Sequence, residues 1–200
     1  KVCAFFAAMR AFAATLSANG HTVLHLDLDA TAAHDTLSDL IQTLCTTNGI
    51  SQFGYQRPDE YRLQNQLETL ALPNECEKMR VESEHFLLPF RDIATSFAAN
   101  KAVRMANFYR KIRKRHDVLM DGDSPRGERW NFDTENRKKL KKDDIAAIPA
   151  PLVFGNDVTA ELARVARHSL KTIGKAEDSL IWPIDRPQAL AQLAFFCEVC

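Results

Sequence analysis

HTVLHLDL (residues 21–28) is the stretch that decides the fold class, because it stands between two segments with helical periodicity. Long aliphatic and β-branched side chains alternate with other residues along it, which predicts a β-strand. Asp27 and Asp29 then fall at the carboxyl end of this strand. The segment before it, residues 2–17, carries an apolar stripe and ends near Gly20, so it predicts a buried helix.

The same alternation continues downstream. Residues 35–46 have a helical apolar stripe, and residues 49–55 predict a short strand. Helices that alternate with strands across short turns are typical of a parallel sheet covered by helices, an α/β fold. Such a sheet normally begins with a strand, so we expect the chain to be cut before its first residue. Later segments predict helices at 60–70, 90–99, 101–116, 159–170 and 187–199, and a strand at 78–83.

The segment KAVRMANFYRKIRKRHDVLM (residues 101–120) predicts a basic helix. From Lys101 to His116 there are seven Lys or Arg residues and no carboxylate, while the apolar residues recur at helical spacing. DGDSPRGERWNFDTENRKKLKK (residues 121–142) follows, with turn-forming residues and a second basic cluster. This pattern indicates a polyanion as partner but names no reaction.

Composition limits the choice of partner and compartment. The chain has 26 Lys plus Arg and 26 Asp plus Glu, so any affinity for a polyanion must come from local clusters. The five cysteines are scattered and odd in number, which favours a reducing cytoplasm over a disulfide framework. The sequence contains no apolar run long enough to cross a membrane, and it indicates no protein partner.

The basic stretch contains a distinctive set of aromatic, basic and turn-forming residues: Met105, Phe108, Tyr109, Arg110, Arg113, Leu119, Met120, Gly122, Pro125, Gly127, Trp130, Asn131, Asp133, Glu135, Asn136 and Arg137. This set resembles the photolyase-related proteins, the bacterial iron-sulfur branch of the cryptochrome and photolyase family. Two positions depart from the family pattern: Ala106 replaces a usual Glu, and Glu128 replaces a usual Gly. Either change could alter a local hydrogen bond or turn.

The resemblance implies a domain organisation. Residues 1–120 would form an antenna domain, Rossmann-like in the broad sense and truncated at its start. Residues 121–157 would be an interdomain loop, and residues 158–200 would begin an all-helical catalytic domain.

The resemblance also implies an activity for the intact protein. A reduced flavin excited by blue light would donate an electron to a pyrimidine dimer lesion in damaged DNA, here the 6-4 photoproduct. FAD, 6,7-dimethyl-8-ribityllumazine and a 4Fe-4S cluster are the implied cofactors. The family's catalytic residues belong to the half that this chain lacks, so we expect no catalytic residue here and a fragment that is inactive alone.

The candidate chromophore site is the loop that follows the strand at residues 49–55. In open α/β sheets, ligands bind beyond the carboxyl ends of the strands. The resemblance implies contact between this loop and the lumazine. The alternative is an ordinary capped helix start with Tyr61 packed against the sheet. The candidate residues are Gln56, Pro58, Asp59 and Tyr61.

The candidate DNA contacts lie in the two basic clusters, whose cations could neutralise phosphates. The alternative for the first cluster is a solvated helix face, or arginines paired with acids of the following loop. The second cluster lies on the predicted interdomain loop, where it could adapt to DNA. The candidates are Arg110, Arg113, Lys114, Arg137, Lys138 and Lys139.

Trp130 invites two interpretations. Tryptophan suggests electron transfer in a photolyase-like protein, but a Trp in a turn-rich loop more often anchors that loop to the domain surface, and we favour the anchor. The six histidines have no metal-ligand spacing. Cys197-x-x-Cys200 lacks two further ligands, so we predict no metal site.

Two other functions stay open. A cryptochrome-like photoreceptor would use the same cofactors without repair. A plain nucleotide- or nucleic-acid-binding α/β domain would have no photochemistry.

Overall fold

Residues 1–73 and 75–199 are described by the computed structural model, with the exception of the side chain of Glu135. These residues form two units, which we name by their place in the sequence. The split unit consists of Lys1–Asp35 together with the residues from Leu140 onward. The central unit is Thr36–Lys139. The domain boundaries expected after residues 120 and 157 stay a prediction.

The elements run through the chain in three blocks. The split unit begins with α1 (Val2–Ala18) and α2 (Leu28–Thr31). The central unit contains α3 (Leu37–Thr47), β1 (Gln52–Gln56), α4 (Tyr61–Thr69), β2 (Glu77–Val81), a 3-10 turn (Phe90–Asp92), α5 (Ile93–Ser96), α6 (Met105–His116), β3 (Met120–Asp121), β4 (Ser124–Pro125) and α7 (Asp133–Asn136). The split unit ends with α8 (Lys142–Ala146), β5 (Asn156–Asp157), α9 (Thr159–Arg167), β6 (Ser179–Leu180) and α10 (Arg186–Val199).

A small parallel sheet flanked by helices forms the core of the central unit, which confirms the expected α/β class. Strands β1 and β2 pair in parallel, from Gln52 opposite Glu77 to Gln56 opposite Val81. Exposure alternates along β1, so Phe53 and Tyr55 face inward as a two-residue period requires. They pack against a buried cluster from α3 and the α4 end, formed by Ile41, Cys45, Leu67 and Leu70.

Lys78 joins the second strand to the end of α4. Its ammonium donates hydrogen bonds to the carbonyl oxygens of Leu67 at 3.0 Å, Glu68 at 2.8 Å and Leu70 at 2.6 Å. These carbonyls lack partners within the helix, and a cation also complements the negative end of the helix dipole. Lys78 therefore ends α4 and fixes it against the sheet.

The strand predicted at residues 21–28 is wrong. Residues 21–27 have no regular structure, and Leu28–Thr31 forms the short helix α2, with the Asp27 carboxylate accepting from the Ala30 amide at 3.0 Å. A strand needs a neighbour to satisfy its backbone groups. Within residues 1–73 and 75–199, no other strand pairs with residues 21–27, so its apolar alternation does not produce a sheet strand.

Two other segments differ from expectation in detail. The helix predicted at residues 90–99 is a 3-10 turn followed by the single turn of α5. The segment predicted as an interdomain loop, residues 121–157, contains the β3–β4 hairpin, two short helices, α7 and α8, and strand β5. In the part of the chain that the structure describes, no helix has both the length and the apolar character needed to cross a bilayer.

In the split unit, α1 packs against α9, and an ion pair between half-exposed Arg10 and buried Glu161 joins them. Glu161 is 1% exposed, and its Oε1 accepts a hydrogen bond from Arg10 Nε at 2.7 Å. A second polar contact in this unit joins β5 to α10, where the Asn156 amide donates to Gln188 Oε1 at 2.9 Å. Helix α9 thus lies against the amino-terminal helix and is joined to it by this ion pair.

Candidate functional site

A cavity of ≈ 730 Å³ in the central unit lies between helix α6 and the segment that follows it; we name it the Trp130 pocket. Two contacts fix helix α6 to the segment before it. The Phe97 and Phe108 rings lie 4.8 Å apart, and the Arg115 guanidinium donates to the Asp92 carboxylate at 3.1 Å. The pocket combines arginines, aromatic rings and carboxamides. Its lining residues are Met105, Ala106, Tyr109, Arg110, Arg113, Leu119, Arg126, Gly127, Arg129, Trp130, Asn131, Phe132, Asp133 and Asn136.

Arg113 builds one wall of the pocket. It is 6% exposed, and its guanidinium donates to the carbonyl oxygens of Val118, at 3.0 Å, and Leu119. Those bonds hold a sharp turn after α6, in which Asp117 and Leu119 both have positive φ. Side chains other than glycine enter that region at a cost in backbone energy. Arg113 therefore stabilises the turn that returns the chain towards α6.

The hairpin that follows completes the return. Met120 pairs with Pro125, and Asp121 with Ser124, across the turn Gly122-Asp123. Gly122 has φ +55°, which suits the first position of a two-residue hairpin turn and is readily adopted only by glycine. The hairpin directs the next residues, including Trp130, back across α6.

Trp130 lies against the basic face of α6. Its ring centroid is 5.3 Å from the guanidinium carbon of Arg113, 5.5 Å from that of Arg110 and 5.9 Å from the ammonium of Lys114. Residues three and four positions apart share one face of a helix, so one ring can meet all three cations. The contact agrees with the interpretation of Trp130 as an anchor.

The same cations argue against Trp130 as an electron donor. Loss of an electron would leave a positive charge within 6 Å of three existing positive charges. Charge repulsion at these distances disfavours the oxidised ring. The anchor is thus the interpretation that the geometry favours.

The pocket carries excess positive charge. Arg110, Arg113 and Arg126 line it together with one aspartate, Asp133. Arg110 and Arg126 are exposed, and neither forms an ion pair with any residue that the structure describes. Uncompensated arginines beside exposed rings provide a site for an anion that also has a flat aromatic face.

The six predicted DNA contacts take three positions. Arg110 and Lys114 lie on the exposed face of α6 beside Trp130, whereas the donors of Arg113 are used within the chain. The other three directly follow Asn136, which lines the pocket, and all are exposed: Arg137, Lys138 and Lys139. Arginine pairing with acids of the next loop, the alternative considered above, is not what holds Arg113, since its partners are backbone carbonyls.

The predicted chromophore residues lie at the carboxyl end of β1. The Gln56 amide is 3.5 Å from Ser83 Oγ, and Asp59 Oδ2 is 2.8 Å from His85 Nδ1. Tyr61 is 77% exposed, so its ring does not pack against the sheet. Pro58 is half-buried. The structure therefore brings the loop after β1 together with the loop after β2.

Sequence reasoning missed Ser83 and His85. Both follow β2, the strand that pairs with β1, and loops after neighbouring parallel strands meet at one edge of the sheet. The signal was the strand predicted at residues 78–83, which ends on Ser83 and is followed by His85 at the same edge. Arg57 also contributes here, with its guanidinium carbon 3.2 Å from the Phe90 ring centroid.

Asp29, which the sequence placed at a strand end, takes part in an ionic cluster in the split unit. Its carboxylate is 2.8 Å from His168 Nε2, 2.6 Å from Arg167 and 3.2 Å from Arg164. The hydrogen bond with His168, reinforced by the two arginines, lowers the pKa of Asp29 to about 2. The cluster ties α2 to the end of α9, and its donors are used internally.

Within the described residues, no group of three or more His, Cys, Asp or Glu side chains has an arrangement that could hold a metal ion. Cys197 is exposed. Cys200, its partner in the Cys-x-x-Cys spacing, lies outside the described residues, so the prediction of no metal site stays a prediction.

Comparison with known proteins identifies the family. A model of the family described as deoxyribodipyrimidine photo-lyase-related protein matches residues 1–181. A (6-4) photolyase of Agrobacterium fabrum is 28% identical over 180 residues, which cover 89% of this chain and 35% of that protein. An uncharacterized protein of Acanthamoeba polyphaga mimivirus is 25% identical over 138 residues, covering 67% of this chain and 68% of that protein. The chain therefore spans about a third of the photolyase that it matches. It belongs to the deoxyribodipyrimidine photo-lyase-related protein family.

Proposed function

We propose that this chain is the antenna and interdomain part of a light-dependent DNA repair flavoprotein that acts on 6-4 photoproducts. The observation that carries the proposal is the family match over residues 1–181, together with the relation to a (6-4) photolyase. The exposed cations and rings of the Trp130 pocket support contact with DNA. The cytoplasm is the proposed location, supported by the free thiols of Cys45 and Cys76 in one core cluster.

In this proposal, the residues of this chain bind and orient and do not react. Arg110 and Lys114, with the second basic cluster at residues 137–139, would neutralise phosphates of damaged DNA. Arg113 would act through the turn that it holds. When bound by the remaining part of the protein, FAD would supply the electron that splits the lesion, and that part would also hold the 4Fe-4S cluster.

The edge formed by the loops after β1 and β2 is the proposed site for 6,7-dimethyl-8-ribityllumazine. Its polar groups fit a ring with carbonyls and a polyol chain, because the Gln56 amide and the Tyr61 hydroxyl both donate and accept, and Asp59 accepts. The buried Nε of Arg57 has no hydrogen-bond partner among the described residues, so its N–H could donate to a ligand at this edge. The lumazine would supply absorption of blue light.

Reconstitution of the full-length protein with lumazine tests this site. Gln56→Ala and Tyr61→Ala are expected to reduce the bound lumazine absorbance, whereas Gln66→Ala, an exposed position late in α4, is the matched control. Full lumazine absorbance in both site variants would remove these residues from the site.

A nucleic-acid-binding domain without photochemistry is the second candidate, favoured by the charge of the Trp130 pocket alone. The absorption spectrum of the full-length protein purified from its own host separates the two. Flavin and lumazine bands are expected under the main proposal. A protein that lacks both bands supports the second candidate.

A further inference from the structure

We infer that the Trp130 pocket binds a nucleoside phosphate, with the phosphate at Arg110 and Arg126 and the base against Tyr109 and Phe132. The inference rests on the proposed function in one respect only: DNA would be the natural source of that nucleotide. The pocket chemistry itself is independent of light or flavin.

The charge of the pocket indicates the phosphate. Arg110 borders the cavity from α6, and Arg126 borders it from the residue that follows the hairpin. Two exposed guanidinium groups from different segments therefore line one cavity. Neither has an anionic partner among the residues that the structure describes. A planar guanidinium binds two phosphate oxygens at once, which makes arginine better suited than lysine to hold one phosphate in place.

The exposed rings indicate the base. Tyr109 is 49% exposed and Phe132 is 45% exposed, although both line the cavity. Bases stack on such rings with little dependence on sequence, because every base has an aromatic face. Each of these rings has one cation near it, Arg113 at 5.5 Å from Tyr109 and Arg129 at 6.0 Å from Phe132. Trp130 is less available for stacking, since three cations of α6 lie within 6 Å of its ring.

The other polar residues of the lining indicate that the ligand has more groups to bind than a phosphate. Asn131 and Asn136 each carry an amide donor and acceptor, and Asp133 is an acceptor. These groups can pair with both the donors and the acceptors on the edge of a base. The cavity of ≈ 730 Å³ also lies within the range of roughly 300–1,000 Å³ usual for small-ligand sites.

Fluorescence anisotropy of a labelled single-stranded oligothymidylate tests the inference on the full-length protein. Arg110→Gln and Arg126→Gln are expected to weaken binding about tenfold, since each removes a charge-assisted pair to phosphate. Lys111→Gln is the matched control, because it removes the same charge from the same helix but borders a different cavity. We expect less than about a twofold loss for it. Equal losses in all three variants would mean diffuse attraction and would overturn the inference.

Competition identifies what the pocket recognises. Thymidine monophosphate is expected to displace the oligonucleotide at much lower concentration than inorganic phosphate does. Equal potency of the two competitors would reduce the pocket to an anion site and would overturn the assignment. A strand that only a second oligonucleotide displaces would equally contradict binding of a single nucleotide unit.

Photocrosslinking locates the base without relying on affinity. An oligonucleotide that carries iododeoxyuridine is expected to crosslink to Tyr109, Phe132 or the adjacent Trp130, as mapped by mass spectrometry. Crosslinks confined to other peptides would refute the site. Because flavin absorbance is a separate readout, a failed crosslink with flavin bound leaves the proposed function standing, and a crosslink without flavin supports the pocket alone.

Discussion

The guanidinium carbon of Arg113 lies 5.3 Å from the Trp130 ring centroid, within cation–π range, and the same guanidinium donates to the carbonyls of Val118 and Leu119. Arg113 thus stabilises the turn after α6 and also contacts the Trp130 ring. This arrangement explains how a basic helix and a turn-rich segment form one pocket wall, and it makes Arg113 a positioning residue.

Replacement of Arg113 should destabilise the protein. Arg113→Met removes two buried charge-assisted hydrogen bonds and leaves two carbonyls without their donor, so we expect a loss of about 2–3 kcal/mol in the free energy of unfolding. Arg113→Lys should recover little of this stability, because a single ammonium does not reproduce the two donor nitrogens that the guanidinium directs at the two carbonyls. Urea unfolding measures this, with exposed Lys114→Met as the control. A loss no larger than that of the control would contradict the role.

Asp29 should make the protein sensitive to acid. Its pKa is lowered from 3.8 to about 2, so the stabilisation from its ionic cluster is complete above about pH 4 and is lost as the pH falls through 2. Asp29→Asn should abolish this contribution, and its stability should therefore change less than that of the wild type between pH 4 and pH 2. Parallel acid titrations followed by circular dichroism would show two curves of the same shape if the cluster had no effect.

The ion pair between Arg10 and Glu161 should show coupling. Arg10→Met leaves a buried carboxylate without its cation, and we expect it to cost about 2 kcal/mol, less than a fully buried pair because Arg10 is half-exposed. The double variant with Glu161→Met should be more stable than Arg10→Met alone. Chemical denaturation of the four proteins of this cycle measures the coupling energy.

Arg62→Met provides the contrast for that cycle. The Arg62–Glu60 pair has the same 2.7 Å separation but is exposed, so its loss should lower the free energy of unfolding far less than Arg10→Met does. Comparable losses at the buried and exposed pairs would show that burial does not set the energy.

Cys45 should react slowly with alkylating reagents. Burial raises the pKa of its thiol, helped by the hydrogen bond with Cys76, and the thiolate is the nucleophile. Exposed Cys197 should therefore be modified by iodoacetamide well before Cys45. Time-resolved peptide mass spectrometry follows both sites, and the difference should vanish in denaturant. Equal rates in the native protein would mean that the core around Cys45 is open.

Much of the fold could be predicted from periodicity. The apolar stripe of α3 and the two-residue alternation of β1 are local signals, and both elements lie where they were expected. The strand at residues 21–28 has a local pattern of similar quality. It fails because a strand also depends on a partner, which a local pattern does not contain.

The candidate sites were predictable in part for the same reason. The basic face of α6 follows from spacing, so the proximity of Arg110 and Lys114 could be foreseen. The roles of Lys78 and Arg113 could not, because both donate to backbone carbonyls exposed by helix ends and turns. Every residue has a backbone carbonyl, so the sequence does not show which carbonyls will accept a bond from a side chain. The pairing of Asp59 with His85 depends in turn on the register of β1 and β2.

Loss of a 6-4 photoproduct from a defined oligonucleotide, quantified by chromatography with the full-length protein under blue light and in the dark, tests the repair proposal most directly. We predict that the lesion disappears in the light, returning intact pyrimidines, and persists in the dark. An unchanged amount of lesion after illumination of protein with bound, reduced flavin would contradict the account.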